Sequence, residues 1–144
     1  MESLTIEKSI EVFCITARSF PDGVKQAHMD LHGRIAFSPQ RKYFGISWHG
    51  PDGKIVYKAG ASELSAGELN ELKLEKHVIK KGTYNVITVS DFMNDIPAIG
   101  KAFDTLATHV PIDGDWMAVE WYYNESDVRC MVRVGKSQSN QYTL

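Results

Sequence analysis

What this chain lacks narrows its function before any motif does. It carries two cysteines, Cys14 and Cys130, in 144 residues, with no metal-type spacing between them. A disulfide framework is therefore unsupported, and small core thiols in a reducing compartment are expected. It has no basic excess either. Its 16 Lys and Arg stand against 18 Asp and Glu, a formal net charge of −2, so there is no electrostatic footprint for nucleic acid or an anionic membrane. No apolar run approaches the roughly 20 residues of a membrane-spanning helix. The opening Met1-Glu2-Ser3-Leu4-Thr5-Ile6-Glu7 lacks the basic start and apolar run of a signal peptide. A cytoplasmic protein without membrane or direct DNA contact is expected, with no cofactor and no metal.

What is present suits one domain over 1–144. Apolar residues make up 43% and charged residues 24%, ordinary values for a globular chain long enough to bury a sizeable core. The most informative stretch is Trp116-Met117-Ala118-Val119-Glu120-Trp121-Tyr122-Tyr123, which reads as one strand rich in aromatic and β-branched residues. Alternation puts Met117, Val119, Trp121 and Tyr123 on a wholly apolar side, expected to rest on the core. Trp116, Ala118, Glu120 and Tyr122 share the other. A carboxylate among aromatics and beside a small residue has two readings. It points into water from an edge strand, or it floors a pocket that takes a positive charge.

The remaining elements follow from period and punctuation. Residues 11–18 alternate loosely and favour a strand. Ser19-Phe20-Pro21-Asp22 marks a helix start, and Val24, Ala27, His28, Leu31 and Ile35 form its apolar stripe. Residues 42–48 and 55–61 read as strands around the turn Gly50-Pro51-Asp52-Gly53. That turn is no phosphate cradle, because no helix start follows it. Residues 62–73 form a polar connector, with Ser65-x-x-Glu68 as a candidate capping box. Residues 74–79, then Lys80-Lys81-Gly82, then 84–90 read as strand, tight turn and strand. Asn94-Asp95-Ile96-Pro97 opens a second helix with the stripe Ile96, Ile99, Phe103 and Leu106. After a loop at 111–115 come the Trp116–Tyr123 strand and a last one at 128–134, and the polar tail at 136–144 is expected to fray.

The second half repeats the first. An offset of 72 places Phe20 on Phe92, Val24 on Ile96 and Leu31 on Phe103. An offset of 73 places Tyr43-Phe44-Gly45-Ile46-Ser47-Trp48 on Trp116-Met117-Ala118-Val119-Glu120-Trp121. The expected fold is α+β: a duplicated β-α-β-β unit with pseudo-two-fold symmetry, the first repeat about 8–61 and the second about 74–135. Its antiparallel sheet would carry two main helices on one face and a ligand cleft on the other. Parity assigns Tyr43, Gly45, Ser47, Cys14, Thr16, Tyr84, Val86 and Thr88 to the face of Glu120, where Gly45 and Ala118 leave room.

This duplicated order over about 11–134, with Lys81-Gly82-Thr83-Tyr84 and with Ala118-Val119-Glu120-Trp121-Tyr122 followed by Val128-Arg129-Cys130-Met131-Val132, resembles the GyrI-like family. Its members are small-molecule effector-binding domains, also found attached to AraC-type and multidrug-responsive transcription activators. The resemblance implies a late-strand glutamate deep in an aromatic pocket facing cationic lipophilic ligands, a position that Glu120 matches. It also implies two alternatives. Some members hydrolyse strained cyclopropane-bearing genotoxins with a glutamate and aromatics, and others bind DNA gyrase. This chain has no room for a helix-turn-helix, so a self-sufficient transcription factor is not expected.

Three function classes follow. In the first, a hydrophobic, cationic small molecule binds to Glu120 between Trp116, Tyr122, Tyr84 and Tyr43, with Gly45, Ser47 and Ala118 shaping the cleft. Aromatic faces add about 0.5–2 kcal/mol of cation–π attraction there. In the second, Glu120 is a general acid–base whose pKa is raised by desolvation, and Tyr84 orients an electrophilic substrate. In the third, the chain is an interaction module for a transcription regulator or gyrase, with Glu63, Glu68, Glu71 and Glu75 as a faint acidic stretch that a solvated connector explains better. A monomer and a homodimer both stay open. His28 and His32 have zinc-compatible spacing, but no third ligand is evident among His49, His77 and His109. Cys14 has no histidine placed to activate it.

Overall fold

The computed structural model describes residues 1–109 and 117–134. The expectations for Trp116, the loop at 111–115 and the tail at 136–144 fall outside these residues. The fold is α+β, with antiparallel strand pairs and two α-helices. In chain order the elements are β1 (Glu2–Ile6), β2 (Ile10–Thr16), α1 (Val24–Arg34), β3 (Tyr43–His49), β4 (Ile55–Ser62), β5 (Glu75–Ile79), β6 (Gly82–Val89), α2 (Pro97–Ala107), β7 (Ala118–Trp121) and β8 (Val128–Arg133). They fall into two compact units, Lys8–Lys80 and Met1–Glu7 with Lys81–Leu144.

In the Lys8–Lys80 unit the strands run in the spatial order β3-β4-β2-β5. The turn between β3 and β4 forms where Gly-Pro-Asp-Gly stands, with Gly53 at φ 79° donating its N–H to the Gly50 carbonyl at 2.9 Å. The first helix starts later than its cap signal: residues 19–23 turn before α1 begins at Val24. Its stripe behaves as read, burying Ala27 and Leu31 against β2 and β4, with Ile35 buried just beyond its end.

In the other unit the order is β1-β6-β8-β7. Pro97 opens α2, where its missing N–H costs nothing. Ala102 and Leu106 seat α2 on Val89, Val128, Cys130 and Val132. The strand β1 was not foreseen. Ser3-Leu4-Thr5-Ile6 does alternate, but the stretch is short and mostly exposed, and its ladder partner β6 lies some eighty positions away.

Two local expectations are corrected. Residues 74–90 are not a hairpin, because β5 pairs with β2 while β6 lies between β1 and β8. A short basic link ending in glycine carries the same signal whether it turns a chain back or passes it onward. The capping box also fails to form. The Glu68 carboxylate accepts from the Leu64 N–H at 2.8 Å and takes both Arg41 Nη atoms at 2.8 Å each. Arg41 is only 6% exposed and donates in addition to the Ser62 carbonyl. This fork ties the connector to the start of β3.

The Arg41 guanidinium, then the Leu64 N–H, hold the Glu68 carboxyl down to about 2, against an ordinary value of 4.5. A depressed carboxylate stabilises the fold above its unfolded pKa, and that stabilisation is lost as pH falls through the folded value. Thermal melts of wild type and Glu68→Gln from pH 6 to pH 2 should therefore converge below about pH 4.5. A constant gap across that window would show that the pair contributes no linked stability.

Candidate functional site

The site is built on the β7–β8 hairpin. Its turn is closed by the Asn124 side-chain oxygen, which accepts the Ser126 and Asp127 N–H groups at 2.8 and 2.7 Å. This fixes the register in which Glu120 faces Cys130 and Ala118 faces Val132. Glu120 is 9% exposed. The Tyr122 hydroxyl donates to its Oε1 at 2.5 Å, and the Tyr122 ring meets Phe92 edge-on at 5.2 Å. The result is a carboxylate on an apolar bed of Ala118, Cys130 and Val132, with a phenolic donor at its tip.

That bed corrects the expected geometry. Cys130 and Val132 belong to the cluster under α2, and paired residues in a ladder share a face. Glu120 therefore lies on the helix-bearing face of its sheet, not on a face opposite the helix. Tyr84 does not join it. The ladder sets Tyr84 against Arg133 and Val86 against Met131, which in turn faces Val119. Tyr84 is thus on the helix-free face, 2% exposed, with its hydroxyl pushed up in pKa by burial. Val86 and Thr88 share that face. The same correction applies in the other unit, where Cys14 pairs with Gly60 and Gly60 with Phe44. Cys14 and Thr16 thus lie on the face opposite Tyr43, Gly45 and Ser47. Alternation holds within every strand; what it cannot supply is the register between strands, and a shift of one residue inverts a face.

Tyr43, Gly45 and Ser47 lie on the face that carries α1 in the Lys8–Lys80 unit. Tyr43 is buried between His32 at 4.9 Å and Phe37 at 5.7 Å, and its hydroxyl accepts the Ser38 N–H at 3.1 Å. Ser47 is the ladder partner of Tyr57, and Gly45 of Ala59. The two histidines go to different partners. His28 Nε2 shares a hydrogen bond of 2.7 Å with the Tyr57 hydroxyl, and Phe20 covers Tyr57 at 6.0 Å. Burial, then the charge of His32, pushes His28 down to about 4, so it is neutral at pH 7. Among the described residues no three His, Cys, Asp or Glu side chains gather at one point.

Sequence reasoning missed the His28–Tyr57 pair, although His28 sits on the α1 stripe and Tyr57 is the only phenol in β4. The acidic stretch is largely consumed internally. Glu63 accepts from Gly67 and Leu69, Glu68 from Arg41, and Glu75 forms an ion pair with Lys58.

Both thiols are sealed. Burial pushes Cys130 up to about 12, with the Glu120 charge adding to it, and burial also pushes Cys14 to about 12 against the pull of Lys58. A thiol of that kind is neither nucleophile nor ligand at neutral pH. Aromatic disulfide reagent at pH 8 is expected to label neither cysteine in the native protein and both in denaturant. Native labelling within minutes would show that one strand opens readily.

No family model and no curated protein matches the chain. The fold is similar to that of integron cassette protein VCH_CASS2 from the mobile metagenome of Vibrio cholerae, with a TM-score of 0.63 at 12% sequence identity, over 93% of this chain and 95% of that one. At that identity the likeness concerns the fold alone. No helix among the described residues is long and apolar enough to cross a membrane.

Proposed function

We propose that this chain is a GyrI-like effector-binding domain that holds a small hydrophobic cation against Glu120. The observation that carries the reading is a carboxylate 9% exposed, set on Ala118 and Cys130 and touched by the Tyr122 hydroxyl. Withdrawing a carboxylate from water is costly, and a cation arriving in the same low-dielectric setting recovers part of that cost. A phenolic donor stabilises the anionic form, which suits cation binding better than acid catalysis. A hydrolase at this site would have to use Tyr122 in place of Tyr84, and no observation favours that reading.

The duplication belongs to the same proposal. Both units read strand, helix, strand, strand, as β2-α1-β3-β4 and β6-α2-β7-β8. An offset of 73 carries the ladder pair Gly45 and Ala59 onto Ala118 and Val132, and Ser47 and Tyr57 onto Glu120 and Cys130. The acid then occupies the place that Ser47 holds in the other unit. Tyr57 stands at the ladder position that the smaller Cys130 holds opposite Glu120. Partners of the regulator or gyrase kind remain secondary, since the acidic connector that would serve them is tied up internally.

Calorimetric titration with tetraphenylphosphonium, and with neutral triphenylphosphine oxide as its match, tests the reading. Binding of the cation alone, lost in Glu120→Gln, supports it. Equal binding of both compounds, or of wild type and variant, would sink it.

A further inference from the structure

The helix-free face of the Lys81–Leu144 unit carries a second charged feature that the Glu120 reading does not use. Trp121 and Arg129 are ladder partners in β7 and β8, and Thr88 faces Arg129 from β6 on its other side. The Arg129 guanidinium carbon lies 4.0 Å from the centre of the Tyr123 ring and 4.9 Å from that of Trp121. Those rings stand 5.8 Å apart and inclined at 58°, so they make a wedge with the guanidinium seated in it. The aromatic faces supply cation–π attraction and hold the planar group in one orientation.

They do not satisfy its N–H edge. Among the described residues no carboxylate forms an ion pair with Arg129. The nearest acid along its strand, Asp127, is occupied by the Asp91 N–H, Asn124 and Ser126. Glu120 points to the opposite face. The other arginine of β8, Arg133, donates its Nε to the Lys81 carbonyl at 3.0 Å and is committed there. Arg129 is therefore a half-buried, oriented guanidinium whose in-plane donors are directed at nothing the described residues supply.

We propose that Arg129, held by Trp121 and Tyr123, anchors a binding subsite for the carboxylate of a small aryl acid, with the Thr88 hydroxyl as a supporting donor. A carboxylate matches the fork geometry of one guanidinium, and its single charge matches the single charge offered. Inorganic phosphate carries more charge and a hydration shell that two aromatic walls would strip. An aryl body, by contrast, gains from those same walls. The subsite lies on the face opposite Glu120 and is independent of the cation reading.

Titration of the full chain with 2-naphthoate at low salt tests it, with 2-naphthamide and inorganic phosphate as matched probes. Naphthoate is expected to bind about 10-fold or more tighter than either, since one charge-assisted bidentate contact is worth about that much. Arg129→Gln should weaken naphthoate by about the same factor, and Glu120→Gln should leave it unchanged. If Arg129→Gln does not fold, Arg129→Lys keeps a charge over the rings but loses the fork, and should bind at least several-fold more weakly. No binding of naphthoate, equal binding of the amide or of phosphate, unchanged affinity in the folded arginine variant, or loss in Glu120→Gln would each overturn the assignment.

Discussion

Replacing Glu120 by glutamine is expected to weaken binding of a lipophilic cation by about 10–100-fold, while a neutral analogue is unaffected. The substitution keeps the volume and still offers an oxygen to the Tyr122 hydroxyl, so the fold around it should hold. What it deletes is the charge. A hydrogen bond or contact to a charged group contributes about 1.5–3 kcal/mol, and that range converts to the stated loss. The carboxylate is 9% exposed, so the effect should survive raised salt. An attraction that vanished at about 0.5 M salt would instead belong to exposed charges. Calorimetry at two ionic strengths, on wild type and variant, reads both quantities.

The largest stability effect is expected at Leu106, whose truncation to alanine should cost about 2–5 kcal/mol. Leu106 is fully buried where α2 crosses Val89, Val128, Cys130 and Val132. Removing its side chain leaves a cavity beneath a helix whose other buried residue is the small Ala102, with Ala98, Ile99 and Phe103 packing only partly buried around it. Phe103, only partly buried at the edge of the same cluster, should cost less despite its size. Urea unfolding checks this, with the midpoint falling and the slope unchanged. A loss below about 1 kcal/mol would mean that the helix is not seated as described. The substitution should also lower cation affinity, because Leu106 packs on Cys130, the ladder partner of Glu120.

Much of the secondary structure was legible because it depends on short-range period. The α1 stripe, the Pro97 helix start, the Gly-Pro-Asp-Gly turn and the seven strands β2 to β8 needed only neighbours within a few residues. Where a signal was ambiguous at that range, the reading failed. Lys80-Lys81-Gly82 reads as a turn or as a passage between units, and Glu68 as a cap or as the partner of an arginine 27 positions away. The Glu2–Ile6 strand alternates only briefly, from Ser3 to Ile6, and it exists because β6 offers it an edge.

The candidate site shows the same division. That Glu120 sits among aromatics next to a small residue was written in eight consecutive letters. Alternation also put Tyr122 on the same side, but that Tyr84 does not reach it was not legible, because Tyr84 and Glu120 stand on neighbours of β8, and their faces depend on two ladders formed across long sequence separations. Composition and local period thus determined by themselves an α+β chain, its helices and most of its strands, and one acid in an aromatic strand. Only the tertiary structure decided which residues share a face with that acid, since strand register is settled by long-range packing and by the closing turn. It alone brought Arg129 to rest on Trp121 and Tyr123, for the same reason.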